Sequence, residues 1–263
     1  MIPLRDDNPT RTVPFVTYLI IAMNVVVWGW QVVSEWSGVS WLTAAYGVVP
    51  RRLFADPLGE AFTIVSSMFM HGDWGHIAGN MLFLYVFGDN VEDRLGHSRY
   101  IAFYVLSGAC AALAHAAIDP SAMTPMVGAS GAIAGTLGAY MVLYPRAPIV
   151  VLNPIVIPFW FIFGPTLVLP AWLMVGLWFI YNLIPGIASI GVASGGGGVA
   201  FFAHIGGFLA GLMMVKPLCR GREQREVRAW SSWRPPPRQG RSPLLRDPHR
   251  RPRNFYDRDD WRS

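Results

Sequence analysis

Long apolar runs separated by short polar segments dominate the first 215 residues of the chain. A helix needs about 20 mostly apolar residues to cross the hydrocarbon core of a bilayer, and it satisfies its backbone polar groups internally. The pattern therefore predicts an all-α fold, a polytopic membrane bundle of six transmembrane helices. The predicted spans are Phe15–Val33, Gly75–Phe87 with an upstream extension over Phe62–Met70, Tyr100–Ile118, Ser130–Tyr144, Leu167–Ile184 and Val199–Val215.

The composition supports a membrane protein. Of the 263 residues, 53% are hydrophobic and only 14% are charged, whereas soluble domains usually carry about 25% charged residues. No Lys, Arg, Asp or Glu occurs anywhere between Ala147 and Val215. These features favour a membrane protein over a soluble domain of this length.

The segment Ala147–Pro165 leaves the number of crossings open. It is apolar, but four prolines interrupt it. Proline removes a backbone donor and breaks helices, which favours an interfacial or re-entrant piece over a span. A seventh crossing is the alternative, and it would put the two termini on opposite sides of the membrane.

Basic residues concentrate at the carboxyl end. Residues 1–215 carry 7 basic and 10 acidic residues, whereas residues 216–263 carry 14 basic and 6 acidic ones. We therefore divide the chain into a six-span membrane domain (1–215) and a basic, Arg- and Pro-rich tail (216–263) that we expect to be disordered. Basic residues beside the last span predict a cytoplasmic tail, and six spans then place both termini in the cytoplasm. We interpret this charge as a topology and lipid-binding signal, not as a nucleic-acid footprint.

Four polar residues inside the predicted spans are candidates for chemistry, because such residues are costly there. Ser130 lies between Gly128 and Gly131, which leave its hydroxyl unobstructed. The sixth span carries His204 and the small-residue pair Gly207 and Gly211. Small residues let two helices approach closely, which would bring His204 within hydrogen-bond reach of Ser130 and make it the base that activates the serine. Simple helix packing is the alternative interpretation of the same residues.

The other two candidates, His76 and Asn80, are four residues apart and share one face of the second span. Two donors on one face could bind an oxyanion together with the backbone N–H of Ser130. A zinc site built from His71, His76 and His204 is the alternative. The face carries no carboxylate and the serine would remain unexplained, so we predict no metal.

These motifs together resemble the rhomboid family of intramembrane serine proteases, in its bacterial six-helix form. The resemblance runs from residue 1 to about Val215 and rests on motifs in a fixed order. They are Met-Ile-Pro-Leu-Arg-Asp at 1–6, His71 with His76 and Asn80, the glycine-flanked Glu92, Gly-Ala-Ser-Gly at 128–131, and Ala-His-Ile-Gly-Gly at 203–207.

The resemblance implies a Ser130–His204 dyad, an oxyanion hole of His76, Asn80 and the Ser130 N–H, and structural roles for His71 and Glu92. It implies transmembrane helices as substrates, cleaved near the outer leaflet, with no cofactor, in a bacterial inner membrane. Some members stack an aromatic ring on the base from the position that Ala134 occupies here, so the support of His204 stays open. An inactive relative that binds transmembrane helices and a transporter that uses the histidines are the alternative functions.

Overall fold

A computed structural model describes residues 2–153, 164–188 and 200–221. Its helices are α1 (Phe15–Trp36), α2 (Leu42–Tyr46), α3 (Pro50–Ala55), α4 (Ala61–Ser66), α5 (Trp74–Leu95), α6 (His97–Ile118), α7 (Ser130–Leu143), α8 (Ala171–Ala188) and α9 (Ala200–Leu218). Three short strands accompany them: β1 (Pro3–Asp6), β2 (Pro148–Leu152) and β3 (Thr166–Pro170). The mostly helical membrane fold that the apolar pattern predicts is confirmed.

The helices differ in how well they fit a bilayer. By length and composition α1, α6 and the Phe201–Leu218 part of α9 can cross a membrane, and α7 and the Ala171–Ile184 part of α8 are shorter apolar helices. Helix α5 ends in a charged segment. The count of six crossings therefore stays a prediction.

Two predicted boundaries were wrong. The upstream extension of the second span is not continuous with α5, because α4 and a 3-10 turn at Ser67–Phe69 precede a loop over 70–73. Asp73 then starts α5 by accepting a hydrogen bond from the His76 amide at 2.8 Å. The fifth span was predicted to begin at Leu167, but residues 166–170 form β3 and the helix begins at Ala171.

The three strands form an antiparallel sheet in the order β1-β2-β3. Leu152 pairs with Thr166, and the Ala147 carbonyl accepts from the Ala171 amide at 2.9 Å. The segment Ala147–Pro165 therefore starts and ends at the same end of the bundle, which excludes a single seventh crossing. Residues 154–163 of it lie outside the described part of the chain, as does the predicted tail from residue 222 onward.

Helices α7 and α9 pack with their backbones almost in contact. A Cβ atom at Gly207 would collide with the carbonyl oxygen of Gly131, and one at Gly211 would collide with the carbonyl oxygen of Gly135. Real Cβ atoms cannot occupy those positions, and a backbone carbonyl cannot move aside as a flexible side chain would. Glycine on α9 is what permits this helix pair to approach so closely.

Glu92 fixes the amino end of α1 to the carboxyl end of α5. Its fully buried carboxylate accepts hydrogen bonds from the backbone N–H groups of Val16 (2.9 Å) and Thr17 (2.7 Å), and a further one from the Thr17 hydroxyl. The first-turn amides of a helix lack intrahelical partners and favour a negative charge, so Glu92 acts as a cap supplied by another helix. His97 Nδ1 lies 2.6 Å from the same carboxylate.

Candidate active site

Ser130 and His204 meet at the crossing of α7 and α9. Ser130 is the first residue of α7, and its Oγ lies 2.9 Å from Nε2 of His204. The short serine side chain meets the imidazole where the backbones of the two helices approach closely at Gly131 and Gly207. The two residues that the sequence pairs across 74 positions are therefore hydrogen-bonded.

Helix α8 holds the other side of the His204 ring. The Nδ1 atom of His204 lies 2.6 Å from Oδ1 of Asn182. The Trp178 ring stands beside the imidazole, with the ring centroids 5.7 Å apart and the planes 47° from parallel. Ala134 is fully buried and brings no ring, so the aromatic neighbour of His204 comes from α8.

Sequence reasoning missed both α8 residues. The available signal was an amide in an otherwise apolar span with a tryptophan four residues earlier, a spacing that puts both on one helix face. The amide of such an asparagine can instead bond only to the backbone of its own helix. The sequence signal therefore did not show whether Asn182 contacts His204 or only its own helix.

His76 approaches the serine from α5. The Gly72 amide donates to its Nδ1 at 3.3 Å, so Nδ1 is an acceptor and the neutral ring carries its proton on Nε2. A Cβ atom built on Gly128 would lie 2.6 Å from that Nε2 and 3.6 Å from the Ser130 Oγ. The imidazole N–H and the serine hydroxyl therefore face the same space, which the missing side chain of Gly128 leaves open.

Gly128 is also required by its backbone. Its φ of +125° is a conformation that side chains rarely allow. Its N–H donates to the carbonyl oxygen of Ser67 at 2.8 Å, which holds the loop before α7 against the 3-10 turn. Conformation and space both demand glycine here.

Asn80 lies one turn further along α5 and is buried. Its Nδ2 is 3.0 Å from Nε2 of His71, and an amide nitrogen can only donate, so His71 accepts. Gln31 of α1 in turn holds the His71 backbone with two hydrogen bonds of 3.0 Å. Burial, with the nearby His76 ring adding to it, lowers the pKa of His71 to about 4, so this ring stays neutral.

Of the other residues that the sequence predicted for the site, some lie beside Ser130 and others lie farther away. Gly131 lies at the site, where a Cβ would collide with Ala111 of α6. Gly211 packs one turn beyond Gly207, and Glu92 caps α1 at the other end of α5. In the part of the chain that the structure describes, no three His, Cys, Asp or Glu side chains converge as metal ligands.

A narrow recess opens beside Ser130. Its lining includes Gly108, Ala111, Ala132 and Ala203, with Met68 and Met126 among the larger neighbours. Small side chains leave room next to the serine hydroxyl, and methionines are adaptable walls. The recess suits a small apolar group.

Comparison with known proteins agrees with these motifs. The Rhomboid domain model matches residues 58–221, which is more than half of the chain. Rhomboid protein 1, mitochondrial, of Saccharomyces cerevisiae is 26% identical over 224 residues, 82% of this chain and 58% of that protein. Rhomboid protease GluP of Bacillus subtilis is 30% identical over 128 residues, 49% of this chain and 24% of that protein. Rhomboid-like protease 5 of Toxoplasma gondii is 30% identical over 155 residues, 59% of this chain and 16% of that protein.

The chain thus spans less than two thirds of the length of each of these relatives, and the matched domain contains His76, Asn80, Ser130 and His204. The family match and the apolar helices of the chain lead to the same conclusion. The chain is an integral membrane protein and belongs to the rhomboid family.

Proposed function

We propose that this chain is an intramembrane serine endopeptidase that cleaves transmembrane helices of other membrane proteins. The observation that carries the proposal is the 2.9 Å hydrogen bond between Ser130 Oγ and His204 Nε2. A serine hydroxyl is a weak nucleophile until a base accepts its proton, and few other arrangements explain an imidazole at that position between apolar helices. The named proteases among the relatives support the same reaction.

In the proposed reaction Ser130 Oγ attacks the carbonyl carbon of the scissile peptide bond while His204 Nε2 takes the hydroxyl proton. The carbonyl oxygen becomes an oxyanion. His204 then returns the proton to the leaving nitrogen, the C–N bond breaks, and an ester to Ser130 remains. Water adds to this ester with His204 again as the base, which releases the acid product and restores the serine.

Three donors are available for the oxyanion. The His76 Nε2–H faces the space over Gly128. The Ser130 N–H belongs to the first turn of α7, where amides have no intrahelical acceptor. Asn80 retains a second N–H beside the one that it donates to His71. Donors of this kind, fixed before the reaction, stabilise the developing charge.

The proposed substrate is a helix that unwinds locally near the outer leaflet. A peptide bond inside an intact helix is shielded, and residues with low helix propensity make unwinding cheaper. The recess beside Ser130 suits a small side chain at the cleavage site. We place both termini in the cytoplasm of a bacterial cell, with the basic tail on anionic lipid. No cofactor is needed for this chemistry.

The test is cleavage of a model transmembrane substrate by purified protein in detergent and in lipid vesicles. Ser130→Ala and His204→Ala should each abolish cleavage while the protein keeps the parent's melting temperature. Ser107→Ala is the matched control, because Ser107 is another buried serine of the bundle, on α6. Cleavage near the parent rate by Ser130→Ala would exclude the proposal, and binding of the substrate without cleavage by the parent would favour an inactive relative.

A further inference from the structure

We propose that Asn182 is a positioning residue that extends the dyad into a hydrogen-bonded Ser130–His204–Asn182 series. Its amide oxygen would hold His204 in the tautomer that accepts the serine proton. The inference rests on the proposed function, since the orientation of a base matters only where that base acts. It assigns to α8 a part in catalysis that the dyad alone does not require.

The two hydrogen bonds of Asn182 determine which way its amide faces. The Nδ2 group lies 2.8 Å from the carbonyl oxygen of Trp178, and only an N–H can donate to that oxygen. The other amide atom, Oδ1, therefore faces His204 Nδ1 at 2.6 Å. A carbonyl oxygen only accepts, so Nδ1 of His204 must carry the proton.

The tautomer of His204 follows directly. With its proton on Nδ1, the neutral ring presents a lone pair on Nε2, and that atom is the one 2.9 Å from Ser130 Oγ. The partner of one ring nitrogen thus determines the role of the other. The reverse tautomer would point an N–H at the serine and leave it without a base.

The surroundings of Asn182 favour a fixed orientation. Asn182 is only 5% exposed, and Trp178, one helical turn earlier, lies against the same imidazole. The tryptophan limits tilting of the ring while the amide prevents its rotation. Together they supply from α8 the support that Ala134 cannot give.

Asn24 shows what an asparagine without this role looks like. It lies buried on α1 and donates from Nδ2 to the carbonyl oxygen of Ile20 at 2.8 Å, the same local bond that Asn182 makes. Its Oδ1 has no hydrogen-bond partner among the described residues. A buried asparagine is therefore accommodated in this bundle without contact to a histidine, so Asn24 is a matched control.

The experiment compares Asn182→Leu, Asn182→Asp and Asn24→Leu in the full chain. Leucine has nearly the same size as asparagine but no acceptor, whereas aspartate keeps one. The measurements are kcat and KM for a model transmembrane substrate, the rate at which a fluorophosphonate labels Ser130, and the melting temperature. Each rate is recorded between pH 5 and 9.

We expect Asn182→Leu to lower kcat and the labelling rate about 10- to 100-fold, the cost typical of removing a group that orients a functional histidine in metal sites. KM should change little. Asn182→Asp should recover most of the loss, and the acid limb of its rate profile should move to higher pH, because a carboxylate favours the protonated imidazole. Asn24→Leu should label at the parent rate.

Parent-like labelling by folded Asn182→Leu would overturn the inference while leaving the proposed function intact. If that variant does not fold, the decision falls on Asn182→Asp, whose acid limb must move for the inference to stand. A parent that neither cleaves nor labels, with normal folding, would instead contradict the proposed function. The two failures are thus distinguishable.

Discussion

At the scale of single residues, hydrogen bonds assign opposite roles to two histidines that approach the same serine. Gly72 donates to His76 Nδ1, which leaves an N–H on the ring nitrogen that faces the site. Asn182 accepts from His204 Nδ1, which leaves a lone pair on the ring nitrogen beside Ser130. In the proposed reaction the first imidazole donates to the oxyanion and the second accepts the serine proton.

The proposed oxyanion donors His76 and Asn80 should differ in how much each contributes to kcat. His76→Ala removes the N–H that faces Ser130, and the loss of one oxyanion donor typically lowers kcat about 100- to 1,000-fold. Asn80→Ala should lower kcat less, because one N–H of the Asn80 amide already donates to His71. Cleavage kinetics measure both variants. Parent-like turnover of His76→Ala would contradict the assignment of this ring.

Gly128→Ala should reduce turnover at least tenfold while the bundle stays folded. A Cβ would lie 2.6 Å from His76 Nε2, and the φ of +125° is unfavourable for alanine. The control is Gly29→Ala on α1, where nothing lies within 4 Å of the added Cβ. Equal kcat for the two alanine variants would show that this loop adapts and that its glycine is dispensable.

The residues that the sequence predicted and those that it missed differ in their surroundings. Ser130 and His204 stand out because a polar group between apolar helices needs a reason, and the motif around each gives one. Asn182 does not stand out, because Asn24 shows that an amide can bond its own helix and nothing else. The pairing of Asn182 with His204 depends on the position of α8, which local sequence does not encode.

At the scale of elements, the pairing of α7 with α9 brings Ser130 and His204 together. Gly207 and Gly211 both pack on backbone carbonyl oxygens of α7. A backbone contact cannot relax by changing a rotamer, so any added carbon must push the helices apart. The geometry of the site therefore depends on residues that make no hydrogen bond in it.

Gly211→Ala should destabilise the protein by about 1–3 kcal/mol, the usual cost of overpacking. The matched control is Gly176→Ala on α8, where the added Cβ meets nothing within 4 Å. That change should be neutral or stabilising by up to about 1 kcal/mol, since alanine is the better helix former. Thermal unfolding in detergent measures both, and equal melting temperatures would refute the close-packing argument.

The strands were missed for a physical reason. Pro148–Leu152 is a short continuous apolar run, and periodicity cannot separate such a strand from a piece of helix. β1 consists of Pro-Leu-Arg-Asp, which has no apolar pattern. Its pairing with β2 joins residues about 145 positions apart, a contact that only the assembled bundle creates.

Asp6 of β1 should make stability depend on pH. Burial, with the Asp89 carboxylate nearby adding to it, raises the pKa of Asp6 to about 8. Its Oδ2 accepts from the Tyr140 hydroxyl at 2.6 Å and from Asn90 Nδ2 at 2.8 Å. In the unfolded chain an aspartate loses its proton near pH 4, so the folded state binds an extra proton between about pH 4 and 8.

Stability from this group is therefore fully present below about pH 4 and is lost as the pH rises through 8. Asp6→Asn keeps an acceptor but cannot ionise, so its melting temperature should fall less than that of the parent between pH 5 and 9. Asp56→Asn, in an exposed loop, is the control and should follow the parent. If the melting temperature of Asp6→Asn fell with pH as steeply as that of the parent, the raised pKa of Asp6 would be contradicted.

At the scale of the whole molecule, the described elements have two distinct ends. The sheet, the carboxyl end of α5 and the start of α8 lie at one end. Arg99 at the start of α6 donates there to the carbonyl oxygen of Leu218, the last residue of α9, and to that of Arg220. Ser130, His76 and the loop before α5 lie toward the other. The six-span topology, in which the charges put the basic tail and the amino terminus on the cytoplasmic side, stays a prediction.

The most direct test of the central claim is the identification of the residue that a fluorophosphonate probe modifies in the purified full chain. Mass spectrometry should find the adduct on Ser130 in the parent and in Ser107→Ala, none on Ser130→Ala, and at least 100-fold slower labelling in His204→Ala, because the base is what makes this hydroxyl reactive. A folded, cleaving protein with no adduct on Ser130, or one whose labelling is unchanged in His204→Ala, would contradict the account.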